Sequence, residues 1–171
     1  NLTVLDNVKI SFNYQVKYNL AQAIFRIPIF KEEKEIERKA LELLKIFGLD
    51  KKADELACNL PYGEQRRLEI ARALAAEPKL LLLDEPAAGM NPQETAELTK
   101  LIQWIRNEFK IAILLIEHDM KLVMGVCERI IVVDYGKIIA HGTPEEIKKN
   151  PKVIEAYLGE EVTENVEDQG A

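Results

Sequence analysis

Two adjacent carboxylates, Asp84 and Glu85, close the run Leu80-Leu81-Leu82-Leu83 and stand just ahead of Pro86. Side-by-side acids can divide the work of phosphoryl transfer to water. One set of hard oxygens holds Mg²⁺, and the neighbouring carboxylate orients or deprotonates the attacking water. Such a pair needs a rigid mount. The four leucines between Pro78 and Pro86 have the length and composition of a strand buried on both faces of a parallel sheet. Ligands of open parallel sheets bind beyond the carboxyl ends of the strands, which is where Asp84 and Glu85 would lie. The same stretch also reads as a core strand followed by a charged turn, so the neighbouring elements must decide.

Those neighbours supply a third group. Asn91-Pro92-Gln93-Glu94 places an N-cap residue, a proline at the first helical position and a glutamate at the third, the signature of a helix start. A helix over 92–108 follows, with Leu98, Leu101, Ile102 and Ile105 on its buried face. Trp104 and Phe109 read as core or flank. The apolar run Ile111–Ile116 is then a second buried strand, ending in Glu117-His118-Asp119. A strand, helix and strand in succession form a parallel pair joined by a right-handed crossover. His118 therefore comes to the same sheet edge as Asp84 and Glu85. A lone histidine is usually structural, but one beside two carboxylates can sense a phosphate charge. His141 carries no comparable context.

Upstream, Leu60-Pro61-Tyr62-Gly63-Glu64-Gln65 opens into a helix with Leu68, Ala71, Leu74 and Ala75 as its buried stripe. The unpaired N–H groups and dipole of such a start attract phosphate, although an ordinary capped helix fits the local residues as well. Before it, Thr3 and Asp6 form a capping box for a helix beginning near Val4, with Leu5, Val8 and Phe12 at helical spacing. A strongly amphipathic helix over 31–47 buries Ile36, Ala40, Leu43, Leu44 and Phe47, and Gly48 stops it. The proline-broken stretch Phe25–Phe30 suggests no firm element. Downstream, Asp119 caps a short helix through Val126, and Arg129–Asp134 is a third strand. It turns at Tyr135-Gly136 into Lys137–Ala140. Thr143 and Asn150 cap two last helices, the second reaching Leu158, and an acidic, disordered tail is expected from Gly159 onward.

The chain has 171 residues, 47% hydrophobic and 30% charged, with a net charge of −6. That suits one domain with a sizeable core. The acidic balance argues against nucleic acid as a partner. Cys58 and Cys127 lie far apart without metal-ligand spacing and read as reduced thiols of a cytosolic protein. No apolar run approaches the roughly 20 residues of a membrane span, and no signal peptide is visible.

Taken in order, these elements resemble the ABC-type ATPases. Gly63-Glu64-Gln65 looks like the signature motif, and Leu83-Asp84-Glu85-Pro86 like the Walker B element. Ala87–Pro92, with Gly89 and Asn91, looks like the D-loop, and His118 like the switch histidine. Within that superfamily the chain is similar to ATPases of branched-chain amino-acid uptake systems. The phrases Leu-Pro-Tyr-Gly-Glu-Gln-Arg-Arg-Leu-Glu-Ile-Ala-Arg-Ala-Leu and Asp-Glu-Pro-Ala-Ala-Gly-Met-Asn-Pro carry this likeness. So do Ile-Glu-His-Asp-Met-Lys-Leu-Val-Met and the closing Gly142–Ile147 with Tyr157-Leu158-Gly159.

The resemblance implies an α/β fold of the P-loop NTPase, ABC ATPase type, with an incomplete parallel sheet core plus a helical subdomain. Residues 1–76 would be the helical subdomain, 77–158 the α/β core and 159–171 the tail. It implies ATP and Mg²⁺ as cofactors. Asp84 would hold Mg²⁺ through water, Glu85 would act on the attacking water and His118 would touch the γ-phosphate. Tyr62, Gly63, Glu64 and Gln65 would close over the nucleotide of a second ATPase subunit, identical or different. The partners implied are the transmembrane subunits of an ABC permease. The protein would then lie cytoplasmic, peripheral on the inner face of the plasma membrane, its helical third on the permease.

Two departures qualify the resemblance. Pro61 and Tyr62 stand where the general signature has serine and glycine, so the serine contact to phosphate is not carried over. No Gly-x-x-x-x-Gly-Lys-[Ser/Thr] occurs in the sequence, the loop whose N–H groups and lysine cradle phosphates. The chain, which starts at Asn1 without an initiator Met, is therefore expected to be the C-terminal two-thirds of such a subunit, inactive alone. Two alternatives stay open. One is a non-enzymatic truncated partner or decoy. The other is the ATPase head of a DNA-repair or chromosome protein, which would bring a coiled-coil insertion and a basic surface, and the sequence shows neither.

Overall fold

The computed structural model describes residues 2–12 and 29–158. The expectations for Phe25–Pro28 and for the acidic tail lie outside the described residues. Helix α1 (Val4–Phe12) starts with the expected capping box. The Asp6 N–H donates to Thr3 Oγ1 at 3.0 Å, and the Thr3 N–H donates back to Asp6 Oδ2 at 3.4 Å. Helix α2 (Ile29–Ile46) is longer at its start than its periodicity suggests and ends where glycine ends it. Gly48 takes φ +69°, and the Leu49 N–H reaches back to the Leu44 carbonyl at 2.9 Å. This is the wide loop-back bond of a Schellman ending, and Leu49 is buried beneath it. Two 3-10 turns, Asp50–Lys52 and Ala57–Asn59, lead to α3 (Tyr62–Ala75).

The helices and the first sheet share one core. Val4, Val8, Ala40, Leu44 and Ala71 are wholly buried within it, joined by Leu68 and Leu74 from α3. Strand β1 (Leu80–Asp84), helix α4 (Pro92–Phe109) and strand β2 (Ala112–Ile116) follow in the expected order. The two strands pair in parallel, from Leu80 opposite Ala112 to Asp84 opposite Ile116. Asn91 caps α4 with a complete capping box, and Lys110, at φ +51°, closes it. Leu98, Ile102 and Ile105 are buried as expected, whereas Leu101 is only half-buried and Trp104 packs edge-on against Phe109 at the surface.

One expectation is corrected. Neither strand is buried on both faces. Leu81 and Leu83 are packed into the core, but Leu80 and Leu82 are 51% and 65% exposed, and Leu114 and Ile116 are 55% and 58% exposed. The reason is the layering. The shared core takes in α3, α4 and the Leu81/Leu83 side of the sheet, and among the described residues nothing covers the opposite side.

Beyond α5 (Met120–Val126), strands β3 (Ile130–Asp134) and β4 (Lys137–Gly142) form a separate antiparallel hairpin, turned at Tyr135 and Gly136. Its inner side packs with α6 (Pro144–Lys148) and α7 (Pro151–Val153) around Val132, Ala140, Ile147 and Val153. The last expected helix is thus one short α-turn that runs on as a π-turn, Ile154–Leu158.

An uncovered apolar sheet face is an association hazard. The purified 19.5 kDa chain is expected to elute from gel filtration above its monomer mass in a concentration-dependent way. Leu82→Thr combined with Leu114→Thr should move it toward monomer. A wild-type monomer with a cooperative melt at about 60 °C, as in ordinary mesophilic domains, would overturn this expectation.

Candidate active-site edge

The β1–β2 pairing continues one residue past the strands, because the Glu85 N–H donates to the Ile116 carbonyl at 2.8 Å. Glu85 itself has φ +43°, a left-handed backbone that costs a side-chain-bearing residue of order 1–3 kcal/mol and is often found at functional sites. The chain then tightens into consecutive turns, with the Ala88 N–H bonded to the Glu85 carbonyl at 3.1 Å and the Met90 N–H to the Ala87 carbonyl at 3.0 Å. Across the edge, His118 Nδ1 lies 3.6 Å from Glu85 Oε1. Both side chains are largely open to solvent, so this contact contributes little to stability and leaves both free for a ligand. Asp84 is exposed and forms no salt bridge or hydrogen bond through its carboxylate among the described residues. Strand, helix and strand in succession predict these three groups at one edge, and the structure brings Glu85 and His118 into contact there. The edge opens on a groove of about 1330 Å³ between β2 and the β3–β4 hairpin.

The second group of expected site residues gathers at the start of α3. Pro61 is the N-cap, and its carbonyl accepts the N–H groups of Glu64 and Gln65 at 3.0 Å each. The N–H groups of Tyr62 and Gly63 have no partner among the described residues. These are the orphan donors that make a helix start receptive to anions. The side chains of Glu64 and Gln65 are engaged elsewhere. Lys52 Nζ pairs with Glu64 at 2.6 Å, and Gln65 Nε2 donates to the Leu60 carbonyl at 2.8 Å. Both therefore hold the helix start in place.

Tyr62 is held from two sides. Arg66 Nε donates to its hydroxyl at 3.0 Å, and the guanidinium lies 5.2 Å from the ring centroid. Hydrogen bonds to Glu69 and then to Tyr62 hold the Arg66 guanidinium above its ordinary value. Gly89, at φ +73°, lies against the same ring, since a Cβ there would sit 3.4 Å from Tyr62 Cε1. A Cβ on Gly63 would come within 3.2 Å of Glu94 Oε1. Glu94 is committed to the α4 capping box, accepting the Asn91 N–H at 2.9 Å, while Asn91 Oδ1 accepts from Gln93 and Glu94. Tyr62, Gly63, Gly89 and Asn91 thus meet where the starts of α3 and α4 converge.

Three residues of the site are not anticipated from the sequence. Lys52 leaves no local signal, because its partner is twelve positions away. Glu94 is legible only as a cap. Glu117 could have been found from strand alternation, since it shares the packed side of β2 with Ile113 and Leu115 while His118 takes the open side. Its carboxylate accepts the Ala87 N–H at 2.9 Å and the His118 N–H at 3.2 Å.

The chain is similar to known proteins along most of its length. The high-affinity branched-chain amino acid transport ATP-binding protein LivG of Salmonella typhimurium is 50% identical over 160 residues, covering 93% of this chain and 63% of that protein. BraF of Pseudomonas aeruginosa, of the same description, is 44% identical over an equal span. The lipopolysaccharide export system ATP-binding protein LptB of Escherichia coli is 38% identical over 144 residues, 84% of this chain and 59% of that one. The chain therefore spans somewhat less than two thirds of the length of these relatives. Among solved structures, the ADP conformation of MJ1267, an ATP-binding cassette of an ABC transporter, matches with a TM-score of 0.72 at 31% identity, over 92% of this chain and 63% of that one. The fold is accordingly the α/β fold of the ABC ATPase, a P-loop NTPase type. The model for branched-chain amino acid ATP-binding cassette transporters matches residues 137–163. The model described as ABC transporter matches residues 1–88, more than half of the 171, and the chain belongs to that family.

Proposed function

We propose that this chain forms part of the ATP-hydrolysing subunit of an importer for branched-chain amino acids. The observation that carries the reading is the meeting of Glu85 and His118, 3.6 Å apart, just beyond the Asp84–Ile116 end of a parallel strand pair. The transport role that the LivG and BraF relatives are named for supports the substrate class. Among the described residues no helix is long and apolar enough to cross a membrane. The transmembrane path would belong to separate permease subunits, with this chain peripheral on their cytoplasmic side and its helical part, through residue 76, in contact with them.

The residues present suit Mg²⁺ and ATP. Among the described residues no cluster of three His, Cys, Asp or Glu could hold a metal, and Mg²⁺ does not require one. It keeps several waters and is bound through one or two carboxylates plus phosphates, for which the exposed Asp84, without a partner among the described residues, is adequate. When bound, the ion would supply charge neutralisation on the phosphates. Glu85, held in its left-handed turn, would accept a proton from, or orient, the attacking water. His118 would donate a hydrogen bond toward the terminal phosphate, keeping the imidazole beside the carboxylate that handles the water. At the other group, the free N–H groups of Tyr62 and Gly63 would face a phosphate held by a second ATPase subunit. Glu64 and Gln65 would act there through the scaffold they stabilise, and Gly89 and Asn91 through the turn against which Tyr62 rests.

Positioning and electrostatics do most of the work in phosphoryl transfer, and these 171 residues contain no glycine-rich phosphate loop. Phosphate release from the purified chain with Mg²⁺ and ATP should equal that of buffer. Turnover abolished by Glu85→Gln would refute this and show that the residues present suffice.

Mixed with a subunit that carries a glycine-rich loop, the chain should close its α3 start over the partner's nucleotide. One non-hydrolysable ATP analogue should bind per mixed pair. Gly63→Leu should weaken that binding at least tenfold, because its side chain would meet Glu94 and block the backbone's approach to phosphate. Asp84→Asn should leave it within about twofold, as the metal at the occupied site would be held by the partner. Two nucleotides per pair, or sensitivity to Asp84→Asn alone, would show that the two site halves are assigned wrongly.

A further inference from the structure

The turn after Glu85 has a donor that the backbone does not satisfy. Ala88 and Met90 bond back to carbonyls within the turn, and Glu85 bonds across to Ile116, but the Ala87 N–H finds no main-chain acceptor among the described residues. Ala87 is buried, and a buried N–H without an acceptor is costly. Its acceptor is Glu117 Oε1, 2.9 Å away and thirty positions on in the chain. The other oxygen of that carboxylate takes the His118 N–H at 3.2 Å.

We infer that Glu117 is the positioning residue of the Glu85–His118 pair, a latch that ties the turn following one to the strand end carrying the other. The inference rests on the proposed roles of Glu85 and His118, and it assigns Glu117 no contact with substrate. Three features of the geometry support it. Just past β2, Glu117 continues the packed side of the strand, opposite His118, so its carboxylate is available to the backbone of the turn. It is half-buried, where a charge-assisted hydrogen bond to an N–H is stronger than in water. It acts beside Glu85, whose φ of +43° persists only if the surroundings enforce it. Two clamps do so here: the Glu85 N–H to Ile116 carbonyl bond before the strained residue and the Glu117 latch after it. Reach is decisive, since aspartate is one methylene too short, whereas glutamine keeps an oxygen acceptor at the same distance.

The test is amide hydrogen exchange of the 171-residue chain, resolved to single residues, without nucleotide. Glu117→Ala and Glu117→Asp should speed exchange at Ala87 and Ala88 by about tenfold or more, the loss expected for a local opening. Glu117→Gln should hold both within about threefold of wild type. Amides inside α3, such as Leu68 to Leu74, should be unchanged in all three, which separates a local latch from general destabilisation. Unchanged Ala87 exchange in Glu117→Asp, or loss of protection in a folded Glu117→Gln, would overturn the inference. If Glu117→Ala unfolds the chain, the Asp and Gln variants decide. Because no ATP is present, failure here would leave the hydrolytic reading untouched, and failure of the nucleotide experiments above would leave the latch standing.

Discussion

The parallel pairing of β1 with β2, Leu80 opposite Ala112 through Asp84 opposite Ile116, sets where every side chain of the acidic edge stands. A one-residue slip would exchange the two sides of a strand. It would turn Leu115 and Glu117 outward and bring Ile116 and His118 onto the helices. The register is protected by packing on one side only, where Leu81, Leu83, Ile113 and Leu115 meet the helical core. That asymmetry suffices, because moving the leucines Leu80 and Leu82 inward would require displacing the pair already packed there. The outer side chains contribute bulk, but no specificity that this chain alone can use.

Register fixes the strands but not the path of the chain beyond them. Past Asp84 the backbone must leave the sheet, expose Glu85 and reach the α4 cap at Asn91 within a few residues. It does so with two left-handed residues, Glu85 at φ +43° and Gly89 at φ +73°, separated by consecutive turns. Glycine takes that conformation freely, whereas glutamate does not. The two positions therefore differ in kind. Gly89 answers a backbone requirement, since a Cβ there would meet the Tyr62 ring only at ordinary contact distance. Glu85 carries a backbone cost that no glycine relieves, and the hydrogen bonds on either side of it hold the geometry.

Much of this was legible beforehand, for local reasons. The caps at Thr3, Asn91, Asp119 and Thr143 and the stop at Gly48 depend on residues within a turn of one another, and each forms as its spacing predicts. The parallel pair and the meeting of Glu85 with His118 came from strand, helix and strand in succession. The illegible features depended on distant chain. An all-leucine run looks the same whether one side or both are covered, so the exposure of Leu80 and Leu82 could not be read from it. The Lys52–Glu64 pair and the Glu117–Ala87 bond cross twelve and thirty positions, and although alternation places Glu117 on the packed side, nothing local names the partner of either.

Tyr62 illustrates how a departure from a motif can be absorbed by its surroundings. A tyrosine in place of glycine at a helix start brings a ring that must go somewhere, and here it lies between the Arg66 guanidinium and the Gly89 turn. The ring lies within ordinary contact distance of position 89, and glycine at 63 leaves the space beside Glu94 that lets the two helix starts approach. The start of α3 thus meets, through the Tyr62 ring, the same turn that leads away from Glu85. A shift of that turn would press on the tyrosine, and a shift of the tyrosine on the turn, because a close contact transmits displacement in either direction. The two groups of site residues, separate in sequence and facing different nucleotides in the proposed assembly, are in this way joined mechanically through one aromatic ring.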